Sequence, residues 1–158
     1  MVEHATVNRR VAGSSPAPGA FNPKAVGERS EAMILAALLR SGYNPLLPAF
    51  TDNKRYDFVL DMDDGRFLRV QAKTGRLKRD GAVVAFPTAS CQTHRGHGRQ
   101  DYRGQADYFA VYCPELDEIY WVPVDDTAST ECWLRLRDTE NGQSARIRQA
   151  SDYEQAPR

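Results

Sequence analysis

The hydrophobic and polar positions of this chain change their period along its length, which predicts one helix followed by several strands. An apolar period of three to four residues runs from about Pro23 to Ser41, where Asn22 can cap the start and Gly42 suits the exit. Glu31 lies on the apolar stripe of this helix, which is costly unless a cation or hydrogen-bond donors meet its carboxylate. An edge position that reaches water or a nearby lysine explains Glu31 equally well.

After the helix, short apolar runs separated by turn signals predict β-strands. The segment YDFVLDMDDGRFLRVQAK forms two strands around a turn at residues 63–65, and a second hairpin continues from the latter strand through a turn at residues 79–81. The segments DYFAVYC, IYWVPV and CWLRLR predict further strands, and the polar stretch after them a short helix. This order of elements predicts an α/β (α+β) domain with a mixed β-sheet flanked by helices.

The strand FLRVQAKTG alternates most strictly between apolar and polar side chains. Arg69, Gln71 and Lys73 share one side of it, because successive side chains of a strand point to opposite faces. A wet outer face explains this pattern, and a cleft in which Gln71 and Lys73 do chemistry explains it as well. Asp57, in the neighbouring strand of the hairpin, makes the second interpretation worth testing.

Length and composition bound the organisation of the chain. The 158 residues suffice for a single core, so we expect a flexible leader over residues 1–22, one domain over 23–154 and a tail over 155–158. No apolar run approaches the roughly 20 residues that cross a bilayer, so we expect no membrane partner. Cys91, Cys113 and Cys132 form no CxxC pair, which favours reduced thiols and a cytoplasmic location.

Charge is balanced over the whole chain but uneven along it. The formal net charge is zero, yet residues 73–103 carry seven Lys or Arg against two Asp. A phosphate-binding face needs such a local basic surface, although a solvated face is the simpler explanation of the same cluster. The candidate DNA-contacting residues are Arg69, Arg76, Lys78, Arg79, His94, Arg95, His97, Arg99 and Arg103.

Part of the basic segment also allows a zinc site. Cys91, His94 and His97 are spaced Cys-x2-His-x2-His, and Cys113 could supply a fourth ligand. This spacing does not match the common zinc fingers, and the glycines among these residues indicate a loop. We therefore favour donors that reach toward phosphates or base edges.

Four residues from separate elements form a candidate catalytic group: Glu31, Asp57, Gln71 and Lys73. Two carboxylates about 4 Å apart repel by roughly 4 kcal/mol at an effective dielectric of about 20, and a divalent cation would offset that repulsion. Mg²⁺ prefers oxygen ligands, which Asp57, Glu31, the Gln71 amide and the Ala72 carbonyl can supply. Lys73 can hold a water, help deprotonate it or stabilise charge on a phosphate.

These residues stand in a recognisable order of segments. GERSEAMILAALLRSGY, RYDFVLD, RVQAKTG and DYFAVYCPELDEIYWVPV together resemble the PD-(D/E)XK nuclease superfamily, in particular its group I intron-associated homing endonuclease branch. The similarity covers roughly residues 24–153. By this resemblance Glu31 matches the family's helix glutamate, Asp57 its metal-binding aspartate, Gln71 its variable ligand and Lys73 its lysine. Tyr56 replaces the family's proline before the aspartate.

The resemblance implies a restriction-endonuclease-like core and a function. That function is a Mg²⁺-dependent DNA endonuclease of the homing type, with Mn²⁺ able to substitute, acting on double-stranded DNA as a homo-oligomer, either a dimer or a tetramer. A structure-specific repair nuclease for four-way junctions and a DNA-binding module with a decayed site are the alternatives. Gln71 in place of an acid leaves the site less negative, which predicts weaker metal binding.

Overall fold

A computed structural model of the protein describes residues 22–50, 54–91, 99–137 and 147–158. Within these ranges the chain forms one α-helix, ten strands and two short 3₁₀ segments. The helix is α1 (Pro23–Arg40), and the 3₁₀ segments are Val124–Asp126 and Ala150–Tyr153. The strands are β1 (Asn44–Leu46), β2 (Phe58–Asp61), β3 (Phe67–Thr74), β4 (Arg76–Lys78), β5 (Val83–Pro87), β6 (Ser90–Cys91), β7 (Arg99–Gln100), β8 (Tyr108–Cys113), β9 (Glu118–Pro123) and β10 (Glu131–Arg135).

The strands form one large sheet and two smaller ones. The large sheet has the order β1-β2-β3-β8-β9, in which β3 and β8 are parallel and the other pairs antiparallel. A three-stranded sheet has the order β10-β5-β4, and β6 pairs with β7 in a short ribbon. The predicted mixed sheet and the two predicted hairpin turns are confirmed.

The bounds of α1 follow from its capping residues. The Asn22 side chain accepts hydrogen bonds from the second and third backbone amides after it, at 3.1 and 3.3 Å. The helix ends before Gly42, whose φ of +81° suits a residue without a side chain. The buried face consists of Ser30, Ile34 and Leu38. Glu31 is half-buried next to that face.

The large sheet separates two apolar clusters. On one face, α1 packs against a cluster that includes Phe58, Leu60 and Val70. On the other face, Phe109 and Val111 pack with residues of the three-stranded sheet. Because Gln71 and Lys73 of β3 lie level with this second pair on β8, their polar face points toward the other sheet layer and is not a wet outer surface.

The chain changes sheet at Gly75. The second hairpin was expected to continue directly from the strand that carries Gln71, and that expectation is wrong, because β4 belongs to the three-stranded sheet. A Cβ atom at Gly75 would lie 2.7 Å from Val84 Cγ1 and 3.0 Å from Val111 Cγ1. The absence of a side chain lets the two layers approach each other next to the candidate lysine.

The C-terminal residues contact the rest of the domain. Tyr43 donates its hydroxyl hydrogen to the Pro157 carbonyl at 3.0 Å, and Arg66 donates to the Arg158 carbonyl at 3.1 Å. Residues 1–21 of the expected leader lie outside the described residues. Across the described ranges, no helix has the length and apolar content needed to cross a membrane.

Candidate active site

Asp57 and Gln71 contact each other at the start of β2. The backbone amide of Asp57 donates to the Val70 carbonyl at 2.9 Å, which places the Asp57 side chain beside the middle of β3. Its Oδ2 atom accepts from Gln71 Nε2 at 2.5 Å and from the Ala72 backbone amide at 2.7 Å. Gln71 Nε2 also donates to the Ala72 carbonyl at 3.3 Å. Two oxygen atoms therefore lie around a single amide nitrogen.

Glu31 and Asp57 influence each other electrostatically. Burial raises the pKa of Glu31, and the negative charges of Asp57 and Glu28 raise it further. Burial also raises the pKa of Asp57, against the hydrogen bond from the Ala72 amide, the Lys73 charge and the Gln71 hydrogen bond, which lower it. Both carboxylates are thus costly to ionise in the folded protein, and a nearby cation would relieve that cost.

Lys73 completes the group on the same face of β3. Its ammonium donates to the Tyr102 hydroxyl at 2.9 Å and lies 4.5 Å from the centre of that ring. The positive charge also acts on Asp57, since it lowers the pKa of that carboxyl. Sequence reasoning grouped Glu31, Asp57, Gln71 and Lys73, and the structure places them around the β2–β3 pair.

A groove reaches Lys73 of this group. It has a volume of about 290 Å³ and runs between the start of α1 and the ends of β3 and β5. The residues that line it are Pro23, Val26, Gly27, Ala72, Lys73, Thr74, Arg76 and Pro87. A larger cavity of about 620 Å³ lies at the other end of α1 and contacts none of the four candidate residues. The candidate site is therefore distinguished by its ionisable residues with shifted pKa values, and not by the size of its cavity.

The donor set fits a hard divalent cation with few charged ligands. Within the described ranges, no three His, Cys, Asp or Glu side chains come together as a potential metal site. The candidate site instead offers two carboxylates, Asp57 and Glu31, with the neutral oxygens of Gln71 and Ala72, and oxygen ligands suit Mg²⁺. The Gln71 amide presents its nitrogen to Asp57 here, so its oxygen would become a ligand after half a turn of the amide.

Two of the candidate DNA-contacting residues are held by other protein groups. Arg69 donates to both oxygens of Asp107, at 3.1 and 2.8 Å, and to the Gly104 carbonyl at 2.9 Å. The hydrogen bond from Arg69 lowers the pKa of Asp107. Arg103 donates to Asp101 at 2.8 Å and to the Thr127 carbonyl at 2.6 Å. DNA binding by Arg69 and Arg103 stays a prediction.

The basic residues of β4 and its turn also contact protein groups. Arg76 lies 3.8 Å from a Glu115 carboxylate oxygen, and Lys78 lies 2.6 Å from one of Glu131. The Arg79 guanidinium stacks over the Trp133 ring, 4.5 Å from its centre. These three cations lie side by side along one hairpin, where DNA phosphates could reach them.

His94, Arg95 and His97 lie outside the described residues, as does the side chain of Arg99. The alternative zinc site with Cys91 lies outside them as well.

The further cysteine considered for that zinc site, Cys113, is buried on β8. Burial raises the pKa of its thiol to about 11.

Two residues of this site were not found from the sequence. Tyr102 contacts the candidate lysine, and the Arg55 guanidinium lies 4.3 Å from the centre of the Tyr102 ring. Arg55 also donates to Ser90 Oγ and to the carbonyls of Gln100 and Asp101. Neither residue belongs to a periodic pattern, so the one available signal was the position of Arg55 two residues before the candidate aspartate.

Comparison with known proteins points to one family. The model of the PD-(D/E)XK endonuclease family matches residues 21–156 of the chain. The solved structure of a bacterial homing endonuclease, I-Ssp6803I, matches with a TM-score of 0.65 and 26% sequence identity, over 84% of this chain and 88% of that one. No curated protein sequence matches the chain significantly.

Proposed function

Because this chain belongs to the PD-(D/E)XK endonuclease family, we propose that it is a Mg²⁺-dependent DNA endonuclease of the homing type. Membership makes the protein a nuclease that hydrolyses phosphodiester bonds in DNA, and nucleases of this family generally use divalent metals. The predicted resemblance and the restriction-endonuclease-like fold are confirmed. The homing type rests on the similarity to a bacterial homing endonuclease.

One observation carries the choice of catalytic residues. Gln71 and Asp57 are hydrogen-bonded across adjacent strands, Lys73 lies on the same face of β3, and the charge of Asp57 reaches Glu31 on α1. These side chains come from three elements, and Lys73 also lines an open groove. An acidic position of this kind, with an ammonium beside it, suits metal-assisted hydrolysis of a phosphate diester.

Each residue has a role that its chemistry allows. Asp57, Glu31, the Gln71 amide oxygen and the Ala72 carbonyl would hold the metal ion. A bound divalent ion supplies Lewis-acid polarisation of the phosphate and a lower pKa for water. Lys73 stabilises the negative charge that builds on the phosphate oxygens, or orients the attacking water, from its position above β3. Asp57 also accepts a hydrogen bond from the Ala72 backbone amide, which holds the β3 backbone next to the carboxylate.

The substrate and the assembly follow from the number of sites. A chain with one active site cuts both strands of a duplex when two copies act together, so we infer a dimer or tetramer on double-stranded DNA. The phosphate contacts would come from the basic residues named above, over a catalytic domain of residues 23–154 with a leader at 1–22 and a short tail at 155–158. A DNA substrate and three cysteines without a CxxC pair favour the cytoplasm as the location.

Cleavage of DNA tests this function. The substrate is a plasmid library of genomic fragments from the source organism, incubated with Mg²⁺ and, for relaxed specificity, with Mn²⁺. Wild type is expected to linearise a subset of the plasmids, and Asp57→Ala and Lys73→Ala to lower the rate at least about 10²-fold. Asp125→Ala and Arg40→Ala, which change exposed residues away from the site, serve as matched controls and should cut like wild type.

The same assay separates the alternatives. Equal cutting by wild type, Asp57→Ala and Lys73→Ala would mean that the cleavage comes from another source. Preferential cutting of a four-way junction over linear duplex would replace the homing type by a junction-resolving one. DNA binding that depends on salt, without cleavage in either metal, would leave only a binding module.

A further inference from the structure

A lysine that acts on a phosphate has to be held in position. The Lys73 side chain is long and flexible, so its ammonium occupies many positions unless a partner fixes it. The Tyr102 hydroxyl accepts its hydrogen bond at 2.9 Å, and the ring centre lies 4.5 Å from the ammonium. Among the residues that the structure describes, no carboxylate oxygen lies within 4.0 Å of this ammonium. Tyr102 is therefore its main anchor.

Tyr102 is itself fixed by packing and by its backbone. Its side chain is 5% exposed, and its ring packs edge-on against Phe109 with centres 5.3 Å apart. Its carbonyl accepts from the backbone amides of Gln105 and Ala106, each at 3.0 Å. The hydroxyl is thus presented to Lys73 from a rigid position beside β8.

Arg55 fixes the chain immediately before Tyr102. Its guanidinium donates to Ser90 Oγ at 2.6 Å, to the Gln100 carbonyl at 3.0 Å and to the Asp101 carbonyl at 2.6 Å. It also lies over the Tyr102 ring, 4.3 Å from its centre. Within the described ranges its Nε atom is buried without a hydrogen-bond partner. All three hydrogen bonds of this guanidinium come from its other two nitrogen atoms and go to residues in or next to β6 and β7.

The Lys73 ammonium is close enough to Asp57 to lower the pKa of that carboxyl, yet it forms no ion pair with it in the described structure. We propose that Tyr102 is a positioning residue that holds the Lys73 ammonium away from Asp57 and toward the groove, and that Arg55 keeps Tyr102 in place. Without the hydroxyl, the ammonium is free to move to the Asp57 carboxylate and to compete with a cation there. The inference rests on the proposed nuclease function, because it assigns Tyr102 a role in that reaction.

Tyr102→Phe tests the proposal with little change in packing. The variant keeps the ring, its contact with Phe109 and its contact with the cations, and loses the hydroxyl. Single-turnover cleavage of a plasmid cut by wild type is expected to slow about 10- to 100-fold. DNA affinity, measured with Ca²⁺ to prevent cleavage, should stay within about twofold, since the hydroxyl acts on the reacting group and not on the bound duplex. The matched control Tyr112→Phe removes a hydroxyl that donates to Asp117 and should cut at the wild-type rate.

A second pair of variants tests the role of Arg55. Arg55→Lys keeps the positive charge but loses the planar group that makes three hydrogen bonds, and it is expected to slow cleavage as well. If both residues act through Lys73, the double variant Arg55→Lys/Tyr102→Phe should be no slower than the slower single variant. Multiplying effects would overturn the role of Arg55.

The outcomes distinguish this proposal from the function on which it rests. Wild-type cleavage by Tyr102→Phe, together with an inactive Lys73→Ala, would overturn the positioning role and leave the nuclease intact. A slower Tyr102→Phe whose DNA affinity or melting temperature falls in parallel would also overturn it, because the hydroxyl would then support the fold. Equal cleavage by wild type and Lys73→Ala would overturn the proposed function itself.

Discussion

The side-chain amide of Gln71 donates a hydrogen bond to the Asp57 carboxylate, 2.5 Å away across strands β3 and β2. The motif that names the family has an acidic residue at the position of Gln71. Its carboxylate would face Asp57 and repel it. The glutamine instead binds it and also reaches the Ala72 carbonyl. The two strands therefore stay joined at the site without help from a cation, and the net charge available to attract one is smaller.

Gln71→Glu should strengthen metal binding and weaken the metal-free fold. A third carboxylate adds attraction for Mg²⁺, and we expect about tenfold tighter binding, or about 1.4 kcal/mol. The same charge repels Asp57, so the melting temperature in EDTA should fall. Calorimetric titration with Mg²⁺ and thermal unfolding measure the two effects. Gln105→Glu, at an exposed position, is the control, and an unchanged Mg²⁺ affinity in Gln71→Glu would contradict the expectation.

Glu31→Gln should stabilise the metal-free protein at neutral pH. The pKa of Glu31 is raised above its ordinary value of 4.5, so the folded state binds the proton more tightly than the unfolded chain. The free energy of unfolding therefore falls as pH rises through the raised pKa, and it is unaffected below the ordinary value. Glu31→Gln removes this loss, which we expect to raise the melting temperature by about 1–2 °C at pH 7 in EDTA.

A pH series separates charge from packing in that experiment. The difference between Glu31→Gln and wild type should vanish below about pH 4, where Glu31 is protonated in both states. The exposed Glu118 provides the control variant Glu118→Gln. A difference that persists at low pH would show that the substitution changes packing and not electrostatic repulsion.

Arg79→Ala should lower the salt dependence of DNA binding. Arg79 lies at the turn between β4 and β5, stacked on Trp133, where a phosphate can meet it. Loss of one phosphate contact should lower the slope of log K against log salt by about 1. Lys78→Ala should change the slope less, because Lys78 already pairs with Glu131. Filter binding over a salt series measures both, with Arg66→Ala as the control on a different hairpin. An unchanged slope in Arg79→Ala would remove this hairpin from the DNA-binding surface.

Gly75→Ala should destabilise the fold. Its Cβ atom would lie 2.7 Å from Val84 Cγ1 and 3.0 Å from Val111 Cγ1, so at least one layer has to shift. We expect a loss of about 1–3 kcal/mol in the free energy of unfolding, measured with urea. Gly27→Ala is the matched control, because its Cβ meets nothing within 4 Å and α1 should gain about 0.5–1 kcal/mol. Equal stabilities of the two variants would contradict this explanation of the change of sheet at Gly75.

Local patterns predicted the elements well where neighbouring residues set the conformation. Asn22 caps α1 as predicted, and the turn at residues 63–65 joins β2 and β3. The continuation of β3 through Gly75 was wrong, because a break between sheets depends on the side chains of Val84 and Val111 in other strands. The buried stripe of α1 consists of Ser30, Ile34 and Leu38 and lies beside Glu31, since burial depends on which sheet residues face α1.

The sequence by itself determined the helix, the two hairpin turns and the family, and it grouped four residues as a candidate site. Only the tertiary structure decided which residues each side chain contacts. Lys73 donates a hydrogen bond to a tyrosine 29 residues away in the sequence. Gln71 and Arg69 donate to aspartates 14 and 38 residues away. Hydrophobic period and turn chemistry act between near neighbours, so the chain displays them directly. Contacts between distant segments depend on the parallel pairing of β3 with β8 and on the packing of both sheets, which form only when the whole domain folds.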